Sequence, residues 1–295
     1  LREEQAFPKE PLYPSAADIP IRQKDAIELT GKVTDDVPLH WNVPAGKWKV
    51  IRVGSATVEI PSGGGLLPDY LSKESANFDF DNSSGVLIRE AGKDAGTTFK
   101  YLHEDNVEIH GIYSWTKNMQ EEFRKRRGYD PNPYMAAMAG EIVESVEITN
   151  RFLNDIRRTV ADCVADAHYS IWAERAHEKG VMVRAEGGGQ HLPRLMMNDG
   201  LMNQGRLDIP VGEFWYTSQW SENQWIPAVH HSSGLPEEWF EGRQNVNLKQ
   251  AASASHLYGK KRTASEAFTS FTHWQSTPAN LLPRANVAFC EGVND

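Results

Sequence analysis

VMVRAEGGG (181–189) runs an apolar, strand-like segment into a glutamate and then glycines, and VGEFWY (211–216) and RTASEAFTSF (262–271) repeat the arrangement with aromatics. In each case the segment before the glutamate is short and apolar, as a buried parallel strand should be. Glu186, Glu213 and Glu266 therefore fall at the carboxyl ends of strands, where enzymes of alternating strands and helices keep their chemistry. HEDNVEIHG (103–111) places Asp105 and Glu108 in a similar context. Carboxylates converging on an aromatic-lined cleft suit glycosidic bond cleavage, in which one is protonated and releases the leaving oxygen while another is ionised and activates water.

Working outward, residues 149–179 carry apolar side chains at Phe152, Leu153, Ile156, Val160, Cys163, Val164, Ala167 and Ile171, spaced by three and four. That spacing predicts a long amphipathic helix, ended by Gly180 before the strand VMVRAE. KNMQEEFRKRRG (117–128) reads as a charged helix ended by Gly128, and NLKQAASASHLYG (247–259) as a helix feeding RTASEAF. Helix, glycine, apolar strand and acidic residue in that order make a step of an α/β fold. Before residue 105 the character differs: WKVIRVGSATVEI (48–60) and GVLIRE (85–90), set between PAG (44–46) and PSGGG (61–65), read as antiparallel β-structure. The expected division is a β-rich segment over 1–100 and a catalytic (β/α) portion over 101–295. Residues 217–246, rich in Ser, Pro, His, Trp and Asn, read as one long loop between two acidic strand ends, with His230 and His231 inside it.

Bulk properties narrow the function. There are 31 Lys and Arg against 40 Asp and Glu, a formal net charge of -9, which is no footprint for a nucleic-acid backbone. No apolar run approaches the roughly 20 residues of a membrane-spanning helix, so membrane insertion is not expected. The three glycines at 187–189 lack any GxGxxG or GxxxxGK[ST] context, and no HExxH or CxxC occurs, so neither nucleotide nor haem nor zinc is expected, whereas the oxygen-rich clusters leave room for calcium. Cys163 and Cys290 read as small buried hydrophobes. Trp215, Trp220, Trp225, Trp239 and Trp274 crowd the final third beside the acidic positions, and aromatic faces stack on sugar rings.

The succession WNVPAGKWKVIRVG, LPDYLSKES, DNVE ahead of SWT, EEFRKRRGYDPNPY, RFLNDIRRTVADCVADAHY, RAEGGG, VGEFW, ASASHLYGKKRTASEAFTSF and FCEGVN closely resembles glycoside hydrolase family 106, the α-L-rhamnosidases. The resemblance implies an α/β fold, a (β/α)8 TIM-type barrel that is incomplete within these residues, with a β-rich insertion near the N-terminal end. It further implies an inverting mechanism, a calcium ion that helps hold the sugar hydroxyls, and a secreted or periplasmic location. The substrate implied is an oligo- or polysaccharide containing L-rhamnose or a related 6-deoxy sugar.

Carried over by motif, the resemblance makes Glu108 the general acid, with Asp105 beside it, and Glu266 of the AEAFT-like motif the general base. Glu186, Trp115, Trp215 and His256 would contact substrate, and Glu213 would ligate the metal. An inverting pair needs its carboxyls about 6.5–9.5 Å apart, a retaining pair about 5–5.5 Å. The acid must keep its proton in an apolar or anionic setting, for which Trp115 and Phe268 are candidate neighbours. The chain departs from the family pattern at Asn106 and Val107, where a Ser and an aromatic are commoner, at Gly65-Leu66-Leu67, which lacks a Glu, and at Asn286, where an Asp is common. A saccharide-binding protein without turnover is the rival reading, because substituted motif positions can end catalysis while an aromatic cleft still grips glycan.

Overall fold

In a computed structural model, the structure describes residues 19–32, 39–55, 68–105, 107, 115–188, 198–215, 238–269 and 276–295, with backbone only at 30, 215 and 238–246. In chain order the regular elements are α1 (Lys73–Asn82), α2 (Ser84–Ala91), β1 (Tyr101–Glu104), α3 (Met119–Arg127) and α4 (Val146–Val164). A π-helical turn, Ala165–Tyr169, continues α4 into α5 (Ser170–His177). Then come β2 (Met182–Ala185), α6 (Gly200–Arg206), β3 (Ile209–Trp215), α7 (Glu238–Leu257), β4 (Ala264–Thr269) and α8 (Pro278–Glu291). The chain divides into two compact units, Leu1–Leu67 with Ile112–Val160, and Pro68–Gly111 with Ala161–Asp295.

The second unit holds the sheet. Its strands lie in the order β1-β2-β3-β4, every neighbouring pair parallel. Parallel neighbours require a crossover, and helices supply it, as the alternation of helical and strand-like periods predicts. The result is a mixed α/β fold with a curled parallel sheet that makes half a barrel; a closed eight-stranded barrel is not seen among the described residues.

Leu102 and Val183 are buried on one face of this sheet, while Ile209, Val211 and Ala264 form a buried cluster on the other face, with Tyr101 packed against it. Helix α7 packs on β3, with Leu248 against Gly212, and its Leu248, Ala251, Ala252 and Ala254 are all essentially inaccessible. The approach is close because β3 has Gly212 there: a Cβ on it would stand 3.2 Å from the Leu248 Cα. On α1, Phe80 meets Trp172 of α5 edge-on with centroids 5.6 Å apart, and Arg175 covers the Phe80 ring while pairing with Asp81 at 2.6 Å.

The first unit has its own core. Met119 and Phe123 of α3 pack with Phe152, Leu153, Ile156 and Val160 of α4, all inaccessible or nearly so. Tyr134 stacks on Phe152 at 5.5 Å, and Tyr129 meets Phe123 edge-on at 4.9 Å. The Tyr129 hydroxyl donates to Asp155 Oδ2 at 2.9 Å.

Several expectations change. GVLIRE is helical, lying inside α2: serines 83 and 84 open it, Leu87, Arg89, Glu90 and Ala91 favour helix, and Gly92 closes it at φ +54. Its buried positions, Gly85 and Ile88, are three apart, which is helical rather than alternating spacing. Residues 48–55 carry no strand pairing, and 56–60 lie outside the described residues. The long loop ends sooner than its composition suggests, because α7 begins at Glu238; residues 217–237, with His230 and His231, lie outside the described residues. Cys163 is buried, but Cys290 is exposed on α8, whose inward face is carried instead by Ala288. The helices expected over 117–128 and 149–179 are present, with Gly128 and Gly180 at φ +82 and +71 ending them.

Gly212→Val forces branched methyls against the α7 backbone, so it should lower stability by about 1–3 kcal/mol. A drop in the urea midpoint at constant m-value is the expected reading, and an unchanged midpoint would mean that α7 moves away at no cost.

Candidate active site

Strand register builds the site. Glu104 pairs with Ala185, so the residues that follow, Asp105 and Glu186, leave neighbouring strands side by side. On the other half of the sheet Glu213 of β3 pairs with Glu266 of β4. Carboxylate oxygens of Asp105, Glu186 and Glu266 all lie within 4.8 Å of one another. Asp105 is exposed, Glu266 half-buried, and Glu186 only 1% accessible. Ionised carboxylates so placed repel by about 3 kcal/mol per pair at an effective dielectric constant of about 20, which a shared cation, a shared proton or hydrogen-bond donors would offset.

Thr269 Oγ1 donates to Glu266 Oε1 at 2.9 Å. Beneath Asp105, Glu104 turns to the buried His168, with its Oε1 2.6 Å from Nε2. His168 is boxed edge-on by Tyr70 and by Tyr169, each with centroids 5.0 Å away, and is tilted against Trp172. The Tyr169 hydroxyl reaches the backbone between the two strand ends, near Val107 and Gly188. Burial, then the charges of Glu104 and Glu186, push the Tyr169 phenol well above its ordinary pKa, so it stays a neutral hydroxyl. Burial and Glu104 likewise raise Tyr70 to about 12. His103, beside Arg184 in the β1–β2 register, is held below its ordinary value by burial and by that guanidinium. Its neutral form therefore dominates at pH 7.

The expected site residues distribute as follows. Asp105, Glu186 and Glu266 converge, with Glu213 the register neighbour of Glu266. Glu108 lies outside the described residues, and so does the Trp215 side chain. Trp115 is half-buried in the first unit, whereas the carboxylate group belongs to the second. His256 is not brought to the group: it is exposed in the last turn of α7, next to the turn that feeds the amino end of β4. Asn286 is exposed on α8. Phe268 packs against Phe214, and Glu108, the acid it was expected to border, lies outside the described residues. The sequence reading missed Glu104, His168 and Tyr169. Their one sequence signal was the polar pair His168-Tyr169 set in the apolar stripe of a long helix, which spacing rules read as core.

Against known proteins, the model of a glycoside hydrolase family 106, described as alpha-L-rhamnosidase, matches residues 3–295. A protein of Formosa agariphila named "Putative beta-glucuronidase" is 30% identical over 293 residues, covering 97% of this chain and 22% of that protein. The solved structure of a rhamnosidase from Novosphingobium sp. PP1Y matches with a TM-score of 0.71 at 27% identity, over 94% of this chain and 26% of that one. The chain thus spans about a quarter of the length of the relatives it matches.

His168→Leu removes the donor that faces a largely buried carboxylate, so it should destabilise the fold by about 1–3 kcal/mol. Chemical denaturation checks this, and a wild-type midpoint would mean that water replaces the lost partner in full.

Proposed function

The chain belongs to glycoside hydrolase family 106, the alpha-L-rhamnosidase family, and we propose that it carries the catalytic carboxylates of an inverting hydrolase acting on terminal α-L-rhamnosyl linkages. The observation that supports this most is the meeting of Asp105, Glu186 and Glu266 within 4.8 Å, the first two just past the carboxyl ends of β1 and β2 and the third within β4. In this reading Glu108 donates its proton to the glycosidic oxygen as the bond from that oxygen to the anomeric carbon breaks. Glu266 takes a proton from the water whose oxygen bonds that carbon from the opposite face. The sum is one glycoside and one water giving a free sugar of inverted configuration and an alcohol, and exchange with solvent returns both carboxyls to their starting states.

The donor set fits a calcium ion, because all three groups offer hard carboxylate oxygens and a cation would offset their mutual repulsion. Asp105 and Glu186 are the proposed ligands. Glu266, one of whose oxygens already accepts from Thr269, is kept for the water. Bound calcium would supply an anchor for neighbouring sugar hydroxyls and offset the crowded charge. Glu213, beside Glu266 in the register, would complete the wall on that side.

A neutral sugar suits this setting better than a uronate. Three carboxylates repel a fourth, and a glucuronidase needs a cation that faces the acid group of its substrate. Arg184 sits on β2, two residues before Glu186, so strand alternation puts both on one face. That placement keeps a glucuronide in the assay panel, as does the name of the Formosa relative. The proposed partner is accordingly a rhamnose-containing glycan, met outside the cytoplasm. Among the described residues no helix is long and apolar enough to cross a membrane.

In the full-length protein, Glu266→Gln should lower kcat by roughly 10²–10⁴-fold on any leaving group, whereas Glu108→Gln should hurt alkyl rhamnosides more than activated aryl ones. Proton NMR of the first turnovers should show the β-anomer of rhamnose. Wild-type release by both variants, or first formation of the α-anomer, overturns the assignment. If rhamnosides bind without turnover, the saccharide-binding reading takes its place.

Calcium gives an independent check. After treatment with chelator, added calcium should raise the melting temperature of the wild-type protein and not that of Glu186→Gln, and titration calorimetry should lose its heat of binding in the same variant. Equal stabilisation of both would remove Glu186 from the metal.

A further inference from the structure

β3 and β4 run in step through Glu213↔Glu266 and Phe214↔Ala267, but the next β3 residue, Trp215, pairs with Thr269. Phe268 is therefore the extra residue of a β-bulge. It takes φ +63, one of two positive values at non-glycine residues among those described. A left-handed conformation costs an L residue roughly 1–2 kcal/mol, so the bulge must return something.

What it returns is parity. Side chains alternate along a strand, and Thr269, three residues beyond Glu266, would point to the opposite face of an unbroken β4. With Phe268 set aside, Thr269 takes the next place in the ladder on the same face as Glu266. Its Oγ1 then donates to Glu266 Oε1 at 2.9 Å. Phe268 turns the other way, where it meets Phe214 edge-on at 5.0 Å and joins Leu248, Ala288 and Val293 in an apolar cluster. Bulges beside active sites commonly re-aim one side chain in this manner.

We propose that Thr269 is a positioning residue for Glu266, and that the bulge at Phe268 is the device that delivers its hydroxyl. The hydroxyl fixes one carboxylate oxygen, so the other is held toward the position of the attacking water without a rotamer search. The inference rests on the reading of Glu266 as the general base. A bulge that served only to bend the strand would need neither a hydroxyl at 269 nor this hydrogen bond.

Steady-state kinetics of the full-length protein on an aryl α-L-rhamnoside separate the cases. Thr269→Val keeps the shape and loses the hydroxyl, so kcat should fall roughly tenfold while KM stays within about twofold. Thr269→Ser keeps the hydroxyl and should return kcat to within about twofold of wild type. Should the valine variant not accumulate as folded protein, Thr269→Ala removes the same hydroxyl without branching. Wild-type kcat in the hydroxyl-free variant, or equal losses in the serine and valine variants, overturns the proposal. Glu266→Gln is the control: an inactive Glu266→Gln beside an unimpaired Thr269→Val leaves the base in place and removes only its positioning, whereas an active Glu266→Gln removes both.

Discussion

Parallel pairing in chain order is the constraint from which the rest of the second unit follows. Four strands hydrogen-bonded as β1-β2-β3-β4 must all leave the sheet at the same edge, and each return crossing must be made by chain on the outside. Residues separated by up to 161 positions, Asp105 and Glu266, can then present carboxylates within 4.8 Å. No local motif could do this. Bringing carboxylates together costs electrostatic repulsion, which a bound cation, a shared proton or hydrogen-bond donors would offset.

The layer beneath the carboxylates is held by a single irregularity in a helix. Between α4 and α5 the chain makes a π-helical turn at Ala165–Tyr169, and Ala167, His168 and Tyr169 are all buried in succession. An ordinary α-helix turns each residue by about 100°, so three consecutive inward side chains sit awkwardly on it, and the wider turn relieves this. His168 takes the carboxylate of Glu104 and Tyr169 reaches the backbone near Val107 and Gly188. Two adjacent residues thus brace the ends of β1 and β2, whose next residues are Asp105 and Glu186.

Much of this was legible in the sequence for physical reasons. An apolar run that stops at a glutamate reads as a strand end because the carboxylate cannot follow the run into the core, and Glu186 is legible that way, whereas Glu266 follows the polar stretch RTAS and lies inside β4, which runs on to Thr269. Gly128 and Gly180 announced helix ends because the left-handed turn there suits no other residue as well. What stayed hidden depends on partners far away in sequence. GVLIRE has too few residues for its period to decide between strand and helix, and the flanking serines and the closing Gly92 carry the answer. Cys290 follows the exposed Phe289, so local hydrophobicity there does not mark the buried face of α8. His256 belongs to a shared motif, yet it lies in the last turn of a helix, next to the turn that feeds the amino end of β4.

The bulge in β4 joins these themes. Its left-handed Phe268 stands against roughly 1–2 kcal/mol of backbone strain, while burying a phenylalanine side chain gains about 1.5–3 kcal/mol. Phe268 is only partly buried, so its contacts with Phe214 and the cluster around Leu248 offset the strain without a large surplus. A smaller residue at 268 would be strained just as much and would gain less from that cluster. A glycine would relieve the strain and lose the contact. The aromatic at 268 and the hydroxyl at 269 are therefore two halves of one solution, the first holding the distortion in place and the second using it. Because the sheet edge gathers the carboxylates and the bulge orients one of them, the chemistry of the site is set by backbone geometry before any side chain chooses its rotamer.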